Sequence, residues 1–109
     1  MSREMAERQS VRALREHLRQ MANVEFPEAA RRGGYPVRFN HCFLRIVYDN
    51  LFGAPWRSVL PQGRPAIEQL DAEQLARATA IGREIIDYPE ACRRLNRESL
   101  RLRGKLAGG

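Results

Sequence analysis

The feature that most constrains the fold of this 109-residue chain is the apolar run Phe39–Gly53. Asn40 is a candidate N-cap, Leu44 lies where it would complete a hydrophobic staple, and a glycine closes the run. Apolar side chains cover more than half of the circumference of this helix on a 3.6-residue wheel. The pattern therefore predicts a central helix over residues 40–52 that neighbouring elements contact on several sides.

Three more segments repeat apolar residues with a helical period, over residues 2–24, 72–86 and 89–104. Asp71 and Gln74 have the spacing of a capping box at the start of the third helix. No convincing strand pattern accompanies these segments. The sequence thus predicts an all-α fold, a compact bundle of about four amphipathic helices around the central helix, with the last two forming a hairpin.

Two connections interrupt the helices. Pro27, a Gly-Gly pair and Pro36 predict that residues 25–38 break the first helix, although one or two turns after Pro27 are allowed. Prolines and a glycine predict irregular structure over residues 57–69, with Val59, Leu60 and Ile67 expected to anchor this loop to the core. Trp56, which precedes the loop, is expected to pack over the end of the central helix.

The chain length predicts one helical domain over residues 1–109, with a frayed tail over about 105–109. No apolar run approaches the ~18 residues of a membrane span, and the N-terminus lacks the apolar segment of a signal peptide, which predicts a cytoplasmic protein without membrane association. Cys42 and Cys92 are expected to be buried thiols, since their surroundings lack zinc-ligand spacing. No metal or cofactor is expected.

The net charge of +6 comes from 18 Arg and a single Lys. A GC-rich genome would produce the same arginine excess without a function. Physically, a surface rich in arginine favours acidic proteins and phosphate-bearing partners, because the guanidinium forms bidentate hydrogen bonds with oxyanions. Two helical stripes concentrate these cations: Arg94, Arg97, Arg101 and Lys105 in the last helix, and Arg8, Arg12, Arg15 and Arg19 in the first.

These stripes give the preferred functional hypothesis, a small non-enzymatic module that binds a partner through an arginine-rich surface. An acidic protein is favoured over nucleic acid, because zinc-finger and RNA-recognition motifs are missing and the junction between the last two helices is not typical of a helix-turn-helix. The competing interpretation is a solvated face, since glutamates lie three or four residues from several of the arginines. A homodimer through exposed aromatic residues is a further possibility.

The alternative hypothesis places a small-ligand or enzymatic site on the polar face of the central helix. His41, Arg45 and Tyr48 lie on one helical face, and Asp49 is one turn from Arg45. These groups could hold an anionic ligand if Trp56 or the following loop covered them. Without such a cover, the same side chains form a solvent-exposed face with an ordinary ion pair between Arg45 and Asp49. Catalysis is the less favoured form, since GxSxG, HExxH and phosphate-loop motifs are absent from the sequence.

Overall fold

Helices follow one another almost without interruption in the computed structural model, which describes residues 3–105. The elements are α1 (Arg3–Gln20), a π-helical segment (Met21–Glu25), α2 (Phe26–Arg32), α3 (Asn40–Phe52), α4 (Trp56–Val59), α5 (Ala66–Gln69), α6 (Ala72–Asp87) and α7 (Pro89–Leu102). Residues 3–105 contain no strand, so the predicted all-α bundle is confirmed. Residue 2 and the expected frayed tail at 106–109 lie outside the described residues.

The central helix is α3, as predicted. Phe43, Ile46 and Val47 are fully buried, and the helix packs against α6, α7 and the π-helical segment. The predicted N-cap is wrong by one residue: Phe39 is the capping residue, it is 61% exposed, and no side chain caps this end. The hydrophobic staple predicted with Leu44 does not form, because the ring of Phe39 stacks on His41 instead of turning toward the core.

The predicted interruption at Pro27 is wrong, because α1, the π-helical segment and α2 follow one another directly. The turns allowed after Pro27 and the break at the Gly-Gly pair are confirmed, since α2 ends at Arg32. Within the π segment the N–H of Phe26 donates to the carbonyl of Met21, five residues earlier. A π turn widens the helix locally and changes which carbonyls need partners. The wider turn just before Pro27 accommodates a residue that lacks an N–H, so the helix continues to Arg32.

The π segment packs closely against α6 at Gly82. A Cβ atom at this glycine would lie 2.3 Å from the sulfur of Met21 and 3.4 Å from the ring of Phe26. The absence of a side chain at Gly82 therefore leaves room for Met21 and Phe26 to approach α6.

The capping box of α6 is confirmed in both directions. The Gln74 N–H donates to the Asp71 carboxylate at 2.8 Å, and the Asp71 N–H donates to the Gln74 side-chain oxygen at 2.9 Å. Tyr88 alone separates α6 from α7, and the two helices pack against each other as the predicted hairpin requires. These contacts fix the position of α7, which also packs against α3.

The connection over residues 57–69 is more regular than predicted, since it holds the end of α4 and all of α5. Val59 is 47% exposed, so it does not anchor this segment. Leu60 and Ile67 do pack against the core, as predicted, and Ala66 and Leu70 are buried beside them. Among residues 3–105, no helix combines the length and the apolarity needed to span a bilayer.

Candidate functional site

A buried carboxylate on α3 organises the contact between α3 and α7. Asp49 is fully buried and accepts hydrogen bonds from the Arg103 guanidinium (Nε–Oδ2 2.6 Å, Nη2–Oδ1 3.0 Å), the Ser99 hydroxyl (2.6 Å) and the Trp56 backbone N–H (2.9 Å). These contacts satisfy both carboxylate oxygens, which a buried charge requires. Asp49 therefore fixes the end of α7 and the start of α4 against α3.

Arg45 joins the same network through neutral oxygens. Its guanidinium donates to the Ser99 hydroxyl at 2.8 Å and to the Asn96 side-chain oxygen at 2.7 Å. No carboxylate pairs with Arg45 in residues 3–105, so the expected Arg45–Asp49 pair is wrong. The reason is tertiary: α7 supplies Arg103 to the carboxylate and supplies neutral acceptors to Arg45.

The polar face of α3 is covered rather than solvent-exposed over part of its length. Tyr48 is buried, and its ring meets the Trp56 indole edge to face, with centroids 5.8 Å apart. Burial raises the pKa of Tyr48 to about 12, so its hydroxyl stays protonated at neutral pH. Trp56 and the α5 segment thus form a cover over this face, as the ligand-site hypothesis required.

Beneath this cover lies the first of two adjoining cavities, which we term the apolar cavity. It measures about 220 Å³ and is enclosed by α3, Trp56 and the start of α5. Its lining residues are His41, Leu44, Arg45, Tyr48, Trp56, Pro65, Ala66 and Ile67. Carbon atoms dominate these walls, so the cavity suits a hydrophobic group.

The second, which we term the cationic cavity, measures about 230 Å³ and lies on the α7 side of Arg45. Its lining residues are His41, Cys42, Arg45, Trp56, Arg57 and Arg103. Since His41, Arg45 and Trp56 belong to both linings, the two cavities share a wall. Together they form what we call the cleft.

The cationic cavity carries an excess of positive charge. Arg45, Arg57 and Arg103 contribute three positive charges, and the adjacent Asp49 contributes one negative charge, which leaves an excess of two. Arg57 is exposed and lies over the Trp56 ring, with its guanidinium carbon 5.1 Å from the ring centroid. No carboxylate lines either cavity in the described part of the chain. The cleft is therefore suited to an anion.

The basic stripe of α7 is exposed but partly neutralised. Arg94 pairs with Glu84 at 2.9 Å, and the Arg101 Nε donates to Glu98 at 2.9 Å. The hydrogen bond from Arg101 lowers the pKa of Glu98. Arg97 is exposed without an ion pair, and Lys105 is exposed just beyond the helix. Only part of this stripe is thus free to bind a partner.

The stripe of α1 is a separate surface. Arg19 lies 3.7 Å from Glu16, and Arg15 donates to the Ile67 carbonyl of α5 at 3.4 Å. Arg8 and Arg12 are exposed and line a shallow groove along α1. α1 packs on α6, whereas α7 packs on both α3 and α6. The two stripes therefore lie on helices with different neighbours in the bundle.

Sequence reasoning brought His41, Arg45, Tyr48 and Trp56 together correctly, but it missed Arg57 and Arg103. Arg103 belongs to neither of the predicted site sets, because its carboxylate partner lies 54 positions earlier in the chain. One signal was present: Asp49 falls on a helix predicted to be buried on several sides, and a buried carboxylate needs a cationic partner.

Comparisons with protein-family models, with curated proteins and with solved structures gave no match for this chain. The functional proposal therefore depends on the geometry and charge of the cleft.

Proposed function

We propose that this protein is a non-enzymatic module that binds a small anion in the cleft. The observation that carries the proposal is the convergence of Arg45, Arg57 and Arg103 on one cavity without a carboxylate in its lining. Guanidinium groups form paired, charge-assisted hydrogen bonds with carboxylate and phosphate oxygens. Such a cluster is stabilised when an anion enters it.

The buried network supports binding because it holds the cations in place. Arg103 is fixed by two hydrogen bonds to Asp49, and Arg45 is fixed by Ser99 and Asn96. Side chains already ordered in the free protein lose little conformational entropy when a ligand arrives. The remaining donor groups of both guanidiniums are therefore available in a preorganised position.

Binding is favoured over catalysis by the state of the acidic group. Asp49 is the carboxylate nearest to these arginines, and it is fully buried and bonded through both oxygens. A general base must reach the proton that it removes. Asp49 therefore cannot act as a general base. His41 lines the cleft, but no carboxylate of the described residues orients its imidazole, whereas binding an anion needs only the cations that are present.

The test is a titration with inorganic phosphate and sulfate at constant ionic strength, monitored through the fluorescence of Trp56, the only tryptophan. Arg57→Gln and Arg45→Gln should each weaken binding roughly tenfold, the loss of one charge-assisted contact. Arg77→Gln is the matched control, because Arg77 is an exposed arginine on α6 outside the cleft. Absence of a saturable response, or an equal loss in the control, would overturn the proposal.

A second candidate is the preferred hypothesis from the sequence, capture of an acidic protein through the stripes of α7 and α1. The supporting observation is that Arg97, Arg8 and Arg12 are exposed and lack ion pairs within residues 3–105. The ion pairs of Arg94 and Arg101 reduce the charge that this surface can offer. Capture of an acidic protein is therefore the second candidate function.

A further inference from the structure

We infer that the anion bound in the cleft is a phosphomonoester carrying a flat apolar group, with the phosphate in the cationic cavity and the apolar group in the apolar cavity. This inference rests on the proposed function and adds the chemical class of the ligand. Three observations support it: the adjacency of the cavities, the size and lining of the apolar one, and the charge balance of the cationic one.

Adjacency follows from the shared wall. His41, Arg45 and Trp56 line both cavities, so a ligand beside Arg45 reaches both at once. Trp56 offers an aromatic surface at this boundary, and Arg57 already lies over its ring. A ligand held by its anionic end at Arg45 would therefore bring its other end against aromatic side chains.

The apolar cavity fits a single aromatic ring. Its volume of about 220 Å³ leaves room for a benzene-sized group, since a closed apolar cavity of roughly 150 Å³ binds benzene, and its open side lets the ligand enter from solvent. Leu44, Pro65 and Ile67 contribute aliphatic walls. Tyr48 contributes a phenol that stays neutral, since burial raises its pKa to about 12. A hydrophobic group would replace water against these walls, which is favourable in proportion to the apolar area covered.

Charge selects the phosphomonoester over a carboxylate. The cationic cavity has an excess of two positive charges after Asp49 is counted. A phosphomonoester carries about −1.5 to −2 charges at neutral pH and presents three acceptor oxygens. A carboxylate carries one charge and two oxygens, and would leave one guanidinium uncompensated.

The test compares methyl phosphate with phenyl phosphate on the wild-type protein by isothermal titration calorimetry. We expect phenyl phosphate to bind at least tenfold more tightly, which is about 1.4 kcal/mol. Benzoate, with the same ring and one charge, should bind more weakly than phenyl phosphate. Equal affinity for the two phosphates would overturn the inference while leaving the anion-binding function intact. Failure of both phosphates to bind would overturn the proposed function itself.

Two variants locate the apolar group. Leu44→Gln should remove the advantage of phenyl phosphate and retain the affinity for methyl phosphate, because Leu44 lines only the apolar cavity. Leu14→Gln is the matched control, since Leu14 is also half-buried but lies on α1, outside the linings of both cavities. Arg57→Gln should weaken both phosphates by the same factor. An unchanged phenyl advantage in Leu44→Gln would contradict the placement, and the wild-type comparison stands even if this variant fails to fold.

Discussion

The carboxylate of Asp49, in the middle of the chain, is held by the guanidinium of Arg103, just beyond the end of α7, through contacts of 2.6 and 3.0 Å. This pair joins the central helix to the last helix and also borders the cationic cavity. Because Asp49 is fully buried and Arg103 is 25% exposed, the pair lies at the edge of the core. Its loss should therefore change both the free energy of unfolding and the affinity for an anion.

The first prediction concerns this pair. Arg103→Gln should lower the free energy of unfolding by about 2–4 kcal/mol, because it leaves a buried carboxylate without its cation. Urea unfolding followed by circular dichroism measures the change. The control Arg97→Gln, at an exposed arginine without an ion pair, should stay within about 0.5 kcal/mol.

Adding Asp49→Asn to Arg103→Gln should recover part of that loss, since the charge that needed compensation is then gone. If Arg103→Gln and Arg97→Gln lower the free energy of unfolding by the same amount, the buried pair does not stabilise the contact between α3 and α7. Among the arginines of the cleft, Arg57 gives the cleanest binding test because it is exposed, whereas variants of Arg103 and Arg45 would also disturb the buried hydrogen-bond network.

The second prediction concerns Gly82. In an open helix, Gly→Ala is stabilising by roughly 1 kcal/mol. Here the new methyl group would lie 2.3 Å from the sulfur of the fully buried Met21, so Gly82→Ala should instead destabilise by about 1–2 kcal/mol. Thermal and urea unfolding measure the effect.

A double-mutant cycle separates this clash from other causes. Met21→Val removes the sulfur, and in that background Gly82→Ala should become neutral or stabilising. A Gly82→Ala penalty of the same size in both backgrounds would show that Met21 is not the obstacle.

The third prediction concerns alkaline pH. Burial raises the pKa of Tyr48 from 10.0 to about 12, and burial raises that of Cys92 from 9.0 to about 11, opposed by the charges of Arg93 and Arg45. The folded protein holds both protons more tightly than the unfolded chain. The free energy of unfolding is therefore at its full value below the unfolded-state pKa values and falls as pH rises above them.

The raised pKa of Tyr48 by itself lowers the free energy of unfolding by about 1.4 kcal/mol between neutral pH and pH 11. Urea unfolding at intervals from neutral pH to about pH 11 should show a decline that begins near the ordinary thiol pKa of 9.0. Tyr48→Phe should flatten the upper part of the curve and Cys92→Ala the lower part. A pH profile that neither variant changes would contradict this assignment.

The fourth prediction tests the arginine-rich surface. Fluorescence anisotropy with a labelled acidic peptide, and with short DNA and RNA, over a salt series should separate the partner classes. If α7 captures an acidic peptide, Arg97→Glu should weaken binding roughly tenfold or more, through lost attraction and new repulsion. Arg77→Glu is the charge-matched control on α6, outside the stripe.

Binding to DNA or RNA with a steep salt dependence, reduced by Arg97→Glu, would favour nucleic acid instead. If Arg97→Glu and Arg77→Glu behave alike toward every probe, the stripe of α7 is a solvated face. The free energy of unfolding is a poor guide here, since exposed ion pairs such as Arg101–Glu98 contribute little to it.

Local signals in the sequence were sufficient for the helices. The capping box of Asp71 and Gln74, the glycine that ends α3 and the helical spacing of apolar residues all predict elements that the fold contains. These features depend on neighbours within a few residues, so they can be recognised without knowledge of the rest of the chain. The interruption expected at Pro27 failed because the helix continues through a π turn, which no local signal in the sequence predicted.

The sequence by itself determined the all-α class, the central position of α3 and the face shared by His41, Arg45 and Tyr48. Only the tertiary structure decided what those groups meet, because Arg103 and Ser99 reach Asp49 across more than 45 intervening residues. Helical periodicity fixes which side chains share a face, whereas the partner of a buried charge is chosen by how the helices pack. The cleft exists because α4, α5 and α7 close around a face that the sequence could only describe as polar.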